Sequence, residues 1–194
     1  IWQQETLFSE ADIDRLFRKY AEHRVDAVLW RLSVCGKLLY RSQTADCMQG
    51  NEGNAIDVKC GEILRKYDPA EAAVAAGRKY GIEVFFWLTL FDDAGYSTGD
   101  LESSFCREHP EFSWRSRDGK DYYHGVLSYV YPEVREFRMR QIREILAYGG
   151  AGLYLCNRSH SRSNVIRDLM RRLFDAKEEK HQFQSKENQE LNIS

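Results

Sequence analysis

Apolar residues recur at helical spacing over residues 9–21, where Ile13, Leu16, Phe17, Tyr20 and Ala21 fall on one stripe. Ser9, with Asp12 three positions on, predicts a capped start to this helix. The pattern then changes. Residues 25–34 and 82–90, and the short run Gly152-Leu153-Tyr154-Leu155-Cys156, are too continuously apolar for strands wet on one side. They predict three strands covered on both faces.

Helices are predicted between these strands. Asp68 is a good N-cap, Pro69 fits the first helical position, Glu71 favours the first turn, and Gly81 ends the helix. Pro132 opens another helix, running to about Tyr148, with Val134, Phe137, Ile142 and Ile145 on its apolar face and Gly149-Gly150 after it. A last helix is predicted after Ser163 or Asn164, with Ile166, Leu169, Met170, Leu173 and Phe174 on its stripe. Residues 43–61 and 92–131 show no periodicity and read as long loops.

Helix and strand therefore alternate, with short links from helix to strand and long ones from strand to helix. That order predicts an α/β fold of parallel strands with helical crossovers. Two architectures fit: a partial (β/α)8 barrel and an open doubly wound sheet. Both place working loops at the carboxyl ends of the strands. Residues 1–176 are expected to form the barrel part, and the charged stretch 177–194 a frayed tail.

Composition narrows the function. The 194 residues are 43% hydrophobic and 30% charged with net charge −2, which gives no basic stripe for nucleic acid or an anionic membrane. No apolar run approaches the roughly 20 residues that span a bilayer. Five irregularly spaced cysteines and the lack of a signal-peptide pattern point to a reducing compartment, the cytoplasm. No Gly-x-Gly-x-x-Gly follows a strand, and Cys106-x-x-His109 has no second pair, so neither a dinucleotide, another cofactor nor a metal is expected.

Several segments resemble the glycosyl-hydrolase-like family-ten proteins of bacteria. They are Val25-Asp26-Ala27-Val28-Leu29-Trp30-Arg31, His109-Pro110-Glu111-Phe112, Arg117-Asp118-Gly119, Gly125-Val126-Leu127-Ser128-Tyr129-Val130-Tyr131-Pro132-Glu133-Val134-Arg135 and Gly152-Leu153-Tyr154-Leu155. The resemblance covers roughly residues 9–160. It implies a carbohydrate-active (β/α)8 TIM barrel whose second to fourth strands are these three, and hydrolysis of O-glycosyl bonds in carbohydrate metabolism. The first strand would precede Ile1. The other barrel half, or a second copy of the chain, would cover the open edges. Family members often carry an aspartate after the fourth strand, where this chain has Leu155-Cys156-Asn157-Arg158. Neither Cys156 nor Asn157 supplies the proton donor a glycosidase needs.

Candidate chemistry follows from strand ends. Glycoside hydrolysis uses two carboxylates. Asp92 and Asp93 follow the second strand, and Asp92 is the candidate catalytic group, with a solvated turn or a helix-cap pair as the alternative. Arg31 is a charge inside an apolar run, so it needs either a carboxylate at the strand ends or a structural ion pair. Trp87 and Tyr129 have the faces to stack on a sugar ring. Asn157, Arg158 and His160 follow the third strand and suit sugar hydroxyls or a carboxylate. A carbohydrate-binding relative without catalysis, and an unrelated small-molecule-binding domain, remain the competing readings.

Overall fold

The computed structural model describes residues 7–51, 55–94 and 101–157. The predicted last helix and tail lie outside these residues.

Helix α1 (Glu10–Glu22) starts at Ser9, whose hydroxyl accepts from the Asp12 amide and donates to the Asp12 carboxylate. Its stripe buries Ile13 and Phe17 completely. Strand β1 (Ala27–Arg31) follows. The predicted strand 25–34 does not run straight through. It breaks at Leu32, whose amide still donates to Trp87 O, and residues Ser33–Val34 (β2) pair with Lys37–Leu38 (β3) in a tight hairpin. Cys35 and Gly36 turn the hairpin with φ of 47° and 78°, both left-handed, as the favoured two-residue hairpin turn requires.

Helix α2 (Ala55–Lys66) occupies part of the stretch read as loop. Its inward positions include Asp57, Cys60, Gly61, Ile63 and Leu64, so the buried stripe carries a charge and a glycine instead of an apolar repeat. Gly61 is no helix breaker here. A Cβ on it would lie 2.4 Å from the Gly50 amide nitrogen, so the missing side chain lets two backbones touch. Helix α3 (Pro69–Tyr80) has the predicted caps: the Asp68 carboxylate accepts from the Ala70 and Glu71 amides, and Gly81 closes the helix in the left-handed region.

Strand β4 (Glu83–Thr89) leads to α4 (Ser104–Glu108), a single 3-10 turn (Pro110–Phe112), and a β5 (Ser113–Arg115)–β6 (Tyr122–Leu127) hairpin. The second long loop thus carries its own small sheet. Helix α5 (Pro132–Ala147) and strand β7 (Gly152–Cys156) complete the described chain. No helix among the described residues is long and apolar enough to cross a membrane.

The fold is mixed α/β. Its central sheet has the order β1-β4-β7, all parallel, with Trp30 opposite Phe86 opposite Leu153 and Arg31 opposite Trp87 opposite Tyr154. The strands lie side by side in chain order, without the reversal that marks a switch point. Because alternate side chains face opposite ways, Trp30, Val84, Phe86 and Leu88 enter the main core with α1, α3 and the end of α5. The other face bears Leu29, Phe85, Trp87 and Tyr154. Leu29 and Tyr154 are 52% and 44% exposed, so burial of β1 and β7 on both faces, expected from their apolar runs, does not occur among the described residues.

One carboxylate pins the loop after β3 to α5. Glu144 accepts from the Tyr40, Ser42 and Thr44 hydroxyls and the Gln43 amide. Burial alone would raise its pKa, but these bonds, led by Ser42, outweigh it and hold the group below its ordinary range. A depressed folded pKa contributes stability above the unfolded value, about 4.3, that is lost as pH falls through the folded one. Urea midpoints should therefore decline below about pH 4. Glu144→Gln should lower stability at pH 7 by about 1 kcal/mol and flatten that acid limb. An identical acid limb in the variant would remove Glu144 as its source.

Candidate functional site

The carboxyl ends of the three parallel strands bring together residues that are far apart in sequence. Arg31 ends β1, and its guanidinium carbon lies 5.5 Å from the centre of the Trp87 ring on β4. The Tyr154 ring on β7 meets Trp87 edge-on at 5.6 Å and 90°. A cation and two aromatic rings thus form one row across the sheet, on the face away from the main core. Thr89, two residues beyond Trp87, lies on the same face. Among the described residues, Trp87 Nε1 and Thr89 Oγ1 are buried without a hydrogen-bond partner.

Beneath this row sits Asp92, its side chain wholly buried. One carboxylate oxygen lies 3.8 Å from the Arg31 guanidinium and accepts from the Cys35 amide at 3.2 Å. Arg31 also donates from Nε to Ser33 O at 2.8 Å. Burial pulls the Arg31 pKa down, against the charge of Asp92. Burial, aided by Asp92, pushes the Cys35 thiol up to about 12, which disfavours the thiolate at neutral pH. The partner that a charge in an apolar strand demands is therefore the aspartate that opens the next strand's loop. The β2–β3 turn holds that aspartate by its backbone.

Asp93 points elsewhere. Both its oxygens lie 2.9 Å from Arg138 of α5, and both side chains are buried. Arg138 further donates to Gln141 Oε1, to Leu90 O and to the Tyr129 hydroxyl. Tyr129 in turn donates to Leu90 O at 2.8 Å, and its ring stands edge-on to Phe91 at 5.2 Å. Its phenol oxygen is thus engaged in holding the loop after β4, while the ring lines an open groove beside Phe91 and Trp114.

Of the residues singled out in the sequence, Arg31, Trp87 and Asp92 come together at the sheet rim. Tyr129 stands on the adjoining loop, and Asn157 is exposed just past β7. Arg158 and His160 lie outside the described residues. The rim also contains Tyr154, Thr89 and Cys35, which sequence reasoning did not select. Alternation along 152–156 does place Tyr154 on the face shared with Cys156, and that signal was available. None of the five cysteines forms a disulfide. Cys106 is buried in the cluster under α4, and His109 stacks on Phe112 with Nδ1 3.0 Å from Glu111. No group of three His, Cys, Asp or Glu side chains among the described residues is placed to hold a metal.

No protein-family model matches the chain, and no curated protein matches it. Similar solved structures include alpha-L-fucosidase isoenzyme 2 from Paenibacillus thiaminolyticus, at 14% identity and a TM-score of 0.49, covering 76% of this chain. The chain spans 20% of the length of that enzyme. A hypothetical protein from Ruminiclostridium thermocellum is similar at 13% identity and a TM-score of 0.45, covering 78% of this chain and 72% of its own. Likeness at this level concerns the path of the backbone and carries no chemistry from those proteins to this one.

Proposed function

We propose that the rim of the central sheet binds carbohydrate and that the chain is a glycosidase-like unit, its three strands forming an arc of a (β/α)8 barrel. The barrel reading is supported by parallel strands adjacent in chain order, with crossover helices packed on one face and side chains left open on the other. In that architecture sites lie at the carboxyl ends of the strands.

The observation that carries the binding reading is the row Arg31–Trp87–Tyr154, with two buried polar groups beside it that have no partner among the described residues. A sugar ring has apolar faces and a rim of hydroxyls. The Trp87 and Tyr154 rings offer surface to the faces. Trp87 Nε1–H is a donor and the Thr89 hydroxyl both a donor and an acceptor; each is buried in the rim and meets a sugar hydroxyl only if the rim side chains shift. Asp92 is a carboxylate fixed in place by Arg31 and the Cys35 amide. Asn157, Arg158 and His160, which follow β7 in sequence, are proposed as further sugar contacts.

Hydrolysis is a separate question. It needs a pair of carboxylates across the scissile bond. With Asp93 engaged by Arg138, Asp92 is the candidate acid at this rim among the described residues. We therefore assign binding to this unit and make hydrolysis conditional on a second acid from outside it. Calorimetric titration with a panel of neutral and acidic mono- and trisaccharides tests the reading. The chain should bind members of the panel, and Trp87→Ala should weaken binding at least tenfold while circular dichroism stays unchanged, a loss of about 1.4 kcal/mol or more. Absence of saccharide binding, or full affinity in the folded variant, overturns it.

A further inference from the structure

A second aromatic wall stands beside the rim. Trp114 on β5, 39% exposed, leans on Phe91 at 5.5 Å, and Phe91 packs edge-on to Tyr129. Trp114 is also braced across the hairpin by Tyr123, its partner in register, at 6.5 Å and 87°. The Trp114, Phe91 and Tyr129 rings, together with Arg115, Ser128 and Val130, line an open groove of about 480 Å³. That is within the range of small-molecule sites, which combine apolar walls with a few polar groups. The wall is held from behind: the Tyr129 phenol is fixed by Leu90 O and Arg138, so little ordering remains for a ligand to impose.

The electrostatics of the groove are one-sided. Among the described residues its lining holds one cation, Arg115, and no acidic residue. Arg115 is exposed and forms no ion pair with any described residue. A neutral sugar could meet that guanidinium through its hydroxyls but would leave its charge unpaired, and a small inorganic anion would leave the aromatic wall unused. A pyranose bearing a carboxylate uses both: its apolar face covers Trp114 and its carboxylate takes Arg115 in a two-point contact. The groove adjoins the proposed site. Phe91 is four residues beyond Trp87, a backbone span of at most about 14 Å.

We infer that the groove between Phe91, Trp114 and Arg115 is a subsite for an acidic sugar, a uronate unit of the same oligosaccharide whose neighbouring ring lies on Trp87. The inference rests on the reading of the rim as a carbohydrate site and adds the charge and length of its ligand.

The test compares trisaccharides of galacturonate, glucuronate and mannuronate with their methyl esters, by calorimetry on the full chain. At least one uronate trisaccharide should bind tenfold or more tighter than its ester. Arg115→Gln should abolish that preference and leave the ester's affinity unchanged. Trp114→Ala should weaken both trisaccharides, and leave binding of the monosaccharide at Trp87 intact. Both substitutions are at exposed positions and should leave circular dichroism unchanged. Neutral sugars bound with no uronate preference, or a preference that survives Arg115→Gln, overturn the subsite while the rim stands. Failure of every saccharide to bind overturns the rim reading itself. A concentration-dependent dimer dissolved by Trp114→Ala would assign the wall to self-association and overturn the subsite.

Discussion

Replacing Arg138 by alanine is expected to cost about 3–5 kcal/mol of stability, the range found when one partner of a buried ion pair is removed. The side chain makes every contact it has with buried or half-buried groups: both oxygens of Asp93, the Tyr129 hydroxyl, Leu90 O and Gln141 Oε1. Burial raises the Asp93 pKa, against the pull of the guanidinium, and works against the charge on Arg138, where Asp93 outweighs it. Arginine does not give up its proton in proteins, and its contacts with both Asp93 oxygens have the geometry of a charge-assisted pair. We therefore take the pair as charged at neutral pH. Without Arg138 a carboxylate is left in the interior with no opposing charge. Urea unfolding of Arg138→Ala, Asp93→Ala and the double variant measures this. The double variant should be more stable than the sum of the single losses implies, because neither charge is then stranded. A loss under about 1 kcal/mol in Arg138→Ala would show that the pair is not what fastens the loop. Saccharide affinity should fall with it, since Asp92 is the neighbour of Asp93 on that loop.

Gly36→Ala is the second large effect, expected at about 3–4 kcal/mol. Two independent penalties meet at this position. The backbone has φ of 78°, where a side chain is strained. A Cβ would also lie 2.3 Å from Asp93 O and 2.6 Å from the Ser103 amide nitrogen, both backbone atoms that no rotamer change can move. The Ser103 amide donates to that same oxygen, so the hairpin tip is wedged against this hydrogen bond. Relief requires the β2–β3 turn to withdraw, which takes the Cys35 amide off Asp92. The variant should therefore lose saccharide affinity as well as thermal stability. As a control, Gly119→Ala should cost less: its φ of 71° carries the same strain, but nothing lies within 4 Å of the added carbon. Equal losses at the two positions would show that close packing at Gly36 does not matter.

The parts of this fold that could be read from the sequence are those fixed by local chemistry. Asp68, Pro69 and Gly81 delimit α3 because cap bonds and backbone freedom act within a few residues. Parallel strand order followed from alternation, since strands joined by a helical crossover run the same way. Arg31 signals a missing partner because a charge in an apolar run needs one, and Asp92, just past the next strand, meets that need. The illegible parts depend on distant contacts. Glu144 meets residues about a hundred positions away, and Asp93 finds Arg138 45 positions on. Helix α2 was hidden because its inward face carries Asp57 and Gly61, whose value lies in what they touch. The β5–β6 hairpin, with Asp118-Gly119 at its turn, was overlooked because its loop is longer than the two residues that give the clearest signal.

The buried cysteines have a practical consequence. Cys60, Cys106 and Cys156 are each buried, one on the inward side of α2, one on the inward side of α4 and one at the end of the central sheet. Burial holds Cys106 at about 12, so little thiolate forms at neutral pH even apart from the barrier of access. A modifying reagent reaches such sulfurs when the surrounding structure parts, so mass-resolved labelling rates at three positions become three separate clocks for the opening of three regions. The chain carries its own stopwatches, and no engineered reporter is needed to learn which layer comes apart first.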